Sequence, residues 1–293
     1  MKTLLLAFVL ISSVAMATNT PAPTHSRRCC SVILPPSDHA PITALATSTC
    51  CEVALVSATS EPAPAQQANK NTDPEALPPA PKSDPKSVHI EAPNLKGVIM
   101  EVRPDKTRRL LISTEVCLRE GALEVLLCKK GTKEHEAILR VDVDAQKIHE
   151  LLLLAGAEAG KPTQFVDPKT EMQSYKPATG TKINMSVHYT KDGKTFTHPV
   201  QDWVWDNKKK ASIAHHWVFA GSIIITDPDN GKKFYAANSG DIISISNFPF
   251  SMLEIPSEIT KDDAQLTFEA KTDKIPAIGS KVWLILDPAS ATK

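Results

Sequence analysis

The chain has 293 residues, with 33 Lys and Arg balanced by 33 Asp and Glu, so its formal charge is zero. A balanced charge removes the electrostatic basis for binding nucleic acid, which needs a basic excess to displace counterions. It equally removes the attraction of a basic protein to an anionic membrane surface.

The N-terminus has the form of a cleavable signal peptide over residues 1–17. Lys2 supplies the positive start, Leu4 to Val14 an apolar run of 11 residues, and Ala15-Met16-Ala17 a small-x-small cleavage site. Such a run is too short to cross a bilayer core of about 30 Å. Cleavage is expected after Ala17, and no cysteine follows it to mark a lipoprotein. No later segment reaches the ~18 uninterrupted apolar residues of a membrane span. The expected location is therefore outside the cytoplasm, periplasmic or secreted, where disulfides persist.

Residues 18–85 hold 12 of the 23 prolines and contain no glycine and no Phe, Trp or Tyr. Such a stretch buries too little apolar surface to offset about 1–2 kcal/mol per residue of backbone ordering. Blocks such as Leu77-Pro78-Pro79-Ala80-Pro81 favour extended polyproline II. A disordered arm is expected here. Within it, Cys29-Cys30-Ser31-Val32-Ile33-Leu34 is echoed 21 residues later by Cys50-Cys51-Glu52-Val53-Ala54-Leu55. Adjacent cysteines are awkward to bridge to each other, so bridges between the two pairs, or an ill-ordered segment, are favoured. A thiol metal clamp is disfavoured, because no CxxC spacing or neighbouring His completes a tetrahedral site.

From Ser87 the texture is that of a folded domain, assigned to residues 86–293. Apolar runs bounded by turn signals predict strands near 87–92, 97–103, 107–117, 123–129 and 134–141. A helix is predicted over 145–156, with Asp144 as N-cap and Ile148, Leu151, Leu152 and Ala155 as its apolar stripe. Further strands are predicted near 181–190, 195–205, 217–226, 232–237, 241–246, 264–271 and 281–287. Asn230-Gly231 marks a hairpin turn. The expected class is α+β: a predominantly antiparallel β domain with one main helix, preceded by the signal peptide and the Pro/Ala/Ser-rich arm.

Three groups of residues invite a chemical reading. Cys117 and Cys128 flank an expected hairpin turn near Glu120-Gly121, which suggests a disulfide across it or two buried thiols, with a redox-active or metal-binding pair as the functional alternative. His135, His149 and His215 would form a three-histidine site for a divalent metal if the fold brought them together. No HxH, HExxH or CxxC enforces that arrangement, and no other cofactor is indicated. Glu136, Asp202 and Asp241 are carboxylates that could line a cleft, and Trp203 lies beside Asp202. Hydrolysis of a glycoside would need two such carboxyls about 5–10 Å apart. No GxSxG elbow and no GxxxxGK phosphate loop is present.

Several separated motifs recur in one order. They are Val116-Cys117-Leu118-Arg119-Glu120-Gly121, Gly131-Thr132-Lys133-Glu134-His135-Glu136, Gln201-Asp202-Trp203, His215-His216-Trp217-Val218-Phe219-Ala220-Gly221, and Gly240-Asp241-Ile242 leading to Ser246-Asn247-Phe248-Pro249. The ensemble resembles the YdjY-domain family of exported bacterial proteins across roughly residues 100–287. The resemblance implies no activity, and the paired cysteines of the arm lie outside it. The reading that follows is an extracytoplasmic module that binds a ligand or envelope partner. A metal-binding or redox protein is the alternative, and a cell-envelope hydrolase a weaker one.

Overall fold

The computed structural model describes residues 74–165 and 175–289. The signal peptide, and the arm with Cys29, Cys30, Cys50 and Cys51, lie outside the described residues. No helix among the described residues is long and apolar enough to cross a membrane.

The domain opens with β1 (Val88–Glu91), β2 (Val98–Val102) and β3 (Arg108–Val116), then β4 (Val125–Lys129), β5 (Ala137–Val141) and the helix α1 (Ala145–Leu154). The short strands β6 (Gln164–Phe165) and β7 (Tyr175–Lys176) pair with each other. A long hairpin follows, β8 (Lys182–Lys191) with β9 (Lys194–Pro199). Next come β10 (Val204–Asp206), β11 (Ala211–Ser212), β12 (Trp217–Phe219), β13 (Ile224–Thr226) and β14 (Lys233–Tyr235). The chain continues through β15 (Ile243–Ser244), β16 (Leu253–Glu254), α2 (Lys261–Thr267), β17 (Phe268–Ala270) and β18 (Lys281–Pro288).

Eight of these strands close on themselves in the order β3-β18-β8-β12-β16-β15-β4-β5, with β5 returning to β3. Closure depends on the length of β3. One edge pairs with β18 along residues 110–115. The other edge pairs first with β2, through Arg108 to Ile112, and then with β5, through Glu115 and Val116. The sheet is antiparallel except at β4–β5 and β15–β16.

Alternation sorts the side chains. In β18, Val282, Leu284 and Leu286 enter the main core, whereas Trp283 and Ile285 join Leu111 in a separate outer cluster. The main core takes Trp203, Trp217, Phe219 and the buried face of α1, Ile148 and Leu152. Gly156, at φ +94°, ends α1 in the left-handed region. Asp144 stands at the N-cap but makes no capping hydrogen bond; its carboxylate turns to the ammonium of Lys129 instead.

Several expectations change. Residues 74–85, assigned by composition to the arm, are packed on the barrel, with Leu77 and Ala80 covering Leu111, Trp283 and Ile285. Composition measures what a segment buries alone, and this one is buried by an apolar outer face. The hairpin between Cys117 and Cys128 is absent. Instead β5 lies between β3 and β4, antiparallel to one and parallel to the other. The strand expected over 134–141 begins only at Ala137. Residues 130–136 form a seven-residue crossover, short for a parallel connection, which usually takes a dozen residues or more. The strand expected over 195–205 breaks at Pro199, which has no N–H to continue the ladder, and passes through a 3-10 turn over Val200–Trp203. The first half of the strand expected over 264–271 belongs to the helix α2, with only Phe268–Ala270 extended. The turn at Asn230-Gly231 is as expected. It joins β13 to β14, with the Asp227 carboxylate accepting from the Asp229 and Asn230 nitrogens.

Candidate functional site: a charged cleft beside the crossover

The three histidines do not meet. His135 stands in the crossover with its side chain 79 % exposed, 3.8 Å from the carboxylate of its neighbour Glu136. His149 is fixed by packing. Its ring lies edge-on to Phe219 at 4.7 Å and to Tyr235 at 5.5 Å. The Tyr235 hydroxyl donates to the Gly221 carbonyl at 2.9 Å, so at its own 2.9 Å contact His149 Nδ1 is the donor to the Tyr235 oxygen. Burial pushes the His149 imidazole below its ordinary value, which favours the neutral ring with its proton on Nδ1. His215 packs edge-on to Phe268 on another part of the barrel, and burial lowers it too. Among the described residues no group of three or more His, Cys, Asp or Glu could hold a metal ion. The expected metal triad is therefore corrected: one histidine is in solvent and the other two are packed against different aromatic rings.

The carboxylates divide. Glu136 and Asp241 come together through Lys133, whose ammonium lies 3.3 Å from Glu136 Oε1 and 2.9 Å from Asp241 Oδ1. The same ammonium sits 4.1 Å above the ring of Phe248. Burial alone would lower Lys133, but the two carboxylates outweigh it and raise it. Asp202 is elsewhere, half-buried and 3.8 Å from His198. Trp203, expected at a binding surface, is fully buried and packs edge-on to Tyr189 at 5.1 Å, because its strand end turns inward after Pro199.

Cys117 and Cys128 are free thiols, one half-buried and one buried. Cys117 donates to the Ala137 carbonyl at 3.1 Å. The two thiols also interact directly with each other. A thiol hydrogen bond to Cys128, together with burial, pushes Cys117 up, so Cys128 is the thiol of the pair that ionises first.

The strongest gathering of charge was not signalled by any motif. Where β3, β5 and β18 meet, Arg140 and Lys281 both pair with the carboxylate of Glu115. Arg140 Nη1 also donates to Glu134 Oε2 at 2.6 Å. Burial pushes the Glu115 carboxyl up, but hydrogen bonds from Lys281 and Arg140 outweigh it and hold it below its ordinary value. Arg140 Nε is buried without a hydrogen-bond partner. Glu115, Arg140 and Lys281 line a cleft of about 530 Å³ that also takes the exposed Lys96, Lys130 and Asp142 and the apolar side chains of Leu77, Val141 and Val143. The one clue in the sequence was a charged residue inside each of three otherwise strand-like runs: Glu115, Arg140 and Lys281. Two of these runs are in contact only because the barrel closes, β3 to β5.

Residues 105–287, well over half of the chain, match the family described as the YdjY domain. No curated protein and no solved structure matches the chain. The matched stretch takes in all eight barrel strands, the crossover and most of the cleft, so the chain belongs to the YdjY-domain family.

Proposed function

We propose that this protein is an exported binding module that takes a small anionic ligand, a carboxylate or phosphate, in the cleft between β3, β5 and the 130–136 crossover. The observation that carries this reading is the excess of four cations, Lys96, Lys130, Arg140 and Lys281, over two carboxylates, Glu115 and Asp142, around a cleft with partly apolar walls. Its volume falls in the range of about 300–1,000 Å³ that suits a small molecule. Glu115 has a positioning role, since it orients Arg140 and Lys281 before any ligand arrives. Export rests on the N-terminal pattern of Lys2, Leu4 to Val14 and Ala15-Met16-Ala17.

Citrate and inorganic phosphate are suitable probes, titrated at millimolar concentration into the full chain by calorimetry and by thermal melting. A ligand that binds only the folded state raises the melting temperature with its concentration. At least one anion is expected to bind saturably, and Lys130→Ala with Lys281→Ala is expected to weaken it about tenfold, as loss of two charge-assisted contacts predicts. If neither anion binds the wild-type chain, or the double variant binds equally well, the cleft is not the site.

A further inference from the structure

The segment leading into β1 makes contacts of a particular kind. Residues 77–81 read Leu-Pro-Pro-Ala-Pro and carry neither helix nor strand. Their exposure repeats every third residue: Ala76, Pro79 and Lys82 face solvent, while Leu77, Pro78, Ala80 and Pro81 are at least half-buried. A period of three belongs to polyproline II, which has three residues per turn.

Proline has no N–H, so its carbonyl is the only backbone group that can hydrogen-bond. At two of the three prolines of this segment, Pro78 and Pro81, a barrel side chain donates to that carbonyl. Trp283 Nε1 donates to Pro78 O at 2.8 Å. Arg109 Nη2 donates to Pro81 O at 3.2 Å. His188, opposite Trp283 on β8, reaches the Pro79 carbonyl, while its Nδ1 is 2.7 Å from Thr197 Oγ1. Leu77 and Ala80 fill the apolar ground between these donors, against Leu111, Trp283, Ile285 and Ile99. The surface is assembled from β2, β3, β8 and β18, all outward positions that alternation would otherwise leave bare. A cleft of about 640 Å³ runs beside the segment, so the groove is wider than its occupant.

We propose that this outer face is a recognition site for a proline-rich segment in polyproline II form, which the chain fills with its own residues 77–81 and which accepts the same kind of segment from another chain. An aromatic groove with an indole donor, aimed at the carbonyls of a stiff proline segment, is the physics by which such peptides are recognised. Stiffness keeps the entropy cost of docking low. The resident segment is covalently tethered and so competes at high effective concentration. Two further ties hold it: Glu75 N donates to Ser280 Oγ at 2.9 Å, and Ser83 N donates to Glu101 Oε1 at 2.7 Å. A segment from another chain therefore enters only when the resident one is released. The groove shares Leu77 and Lys96 with the anion cleft, but the inference rests on the outer face around Trp283 and not on anion binding.

The test uses the full chain with Leu77→Asp and Ala80→Asp, which makes the resident segment unfit for the groove. The probe is a labelled peptide of residues 74–87, followed by fluorescence anisotropy and by the emission of Trp283. The released chain is expected to bind the peptide saturably, and the wild-type chain at least tenfold more weakly. Trp283→Phe in the released chain is expected to cost about tenfold, the worth of one buried hydrogen bond. A peptide with its prolines replaced by alanine is expected to bind at least tenfold more weakly. The proposal is overturned if the released chain, folded by circular dichroism, ignores the peptide, or if the alanine peptide binds as well. Should the double variant fail to fold, a protease site at Asp84-Pro85 lets the segment be cut after folding. Exchange of the cut piece for labelled peptide then supports the proposal, and failure to exchange overturns it.

Discussion

Glu101 shows how much a single buried charge can decide. Its side chain is fully buried, yet Ser83 N and Oγ donate to one oxygen at 2.7 Å each, and Arg109 Nε to the other at 2.6 Å. Burial pushes the carboxyl up, but these donors outweigh it and bring it from 4.5 to about 2. A folded value below the unfolded one means that the stabilisation is complete above about pH 4.5 and declines as pH falls toward 2. The shift corresponds to about 3 kcal/mol. Glu101→Gln is therefore expected to destabilise the chain by roughly 2–4 kcal/mol at pH 7, with the deficit shrinking below pH 4. Urea unfolding at pH 7 and pH 3 measures both; an equal deficit at the two values contradicts the account. At the same scale, the sequence identified residue types but not their settings. His149 and Trp203 were singled out for chemistry, and both are packing residues. Arg140 and Glu115 were passed over, because an isolated charge in a strand gives no sign of which neighbouring strand it will face.

At the scale of elements, local pattern served well where an element is decided by its own residues. The helix stripe, the strands β1 to β3 and the turn at Asn230-Gly231 follow from periodicity and turn chemistry. The helix α2 carried a legible signal that the strand reading overlooked: Thr260 accepts from Asp263 N at 3.1 Å, and Asp262 and Asp263 stand in the first turn. Close approaches between elements left weaker traces. Gly180, at φ +132°, lies against β12, and a Cβ there would stand 2.0 Å from the Phe219 carbonyl oxygen. Gly180→Ala is expected to cost at least about 2 kcal/mol through strain and displacement of β12. Gly193→Ala, also at positive φ but in open space, should cost only about 1 kcal/mol. Equal losses in denaturant titrations of the two variants would mean that the close approach carries no weight.

At the scale of the whole molecule, the prediction concerns processing. If residues 1–17 direct export and are removed, the mature chain begins at Thr18, and N-terminal sequencing of protein recovered outside the cytoplasm checks it. Retention of Met1 in that fraction would overturn the cleavage site. The sequence by itself determined what depends on neighbours along the chain: the apolar periods of the strands, the amphipathic helix, the turn chemistry, and motifs sufficient to place residues 105–287 in a family. Tertiary structure alone decided which strands are neighbours. Pairing energy comes from residues far apart in the chain, as where β18 joins β3 and β8, so no local pattern encodes it. That pairing made β5 the strand between Cys117 and Cys128, kept the three histidines apart and gathered Arg140 and Lys281 around Glu115. It also exposed an apolar outer face around Trp283, and the prolines of residues 77–81 were drawn onto it because water was the alternative cover.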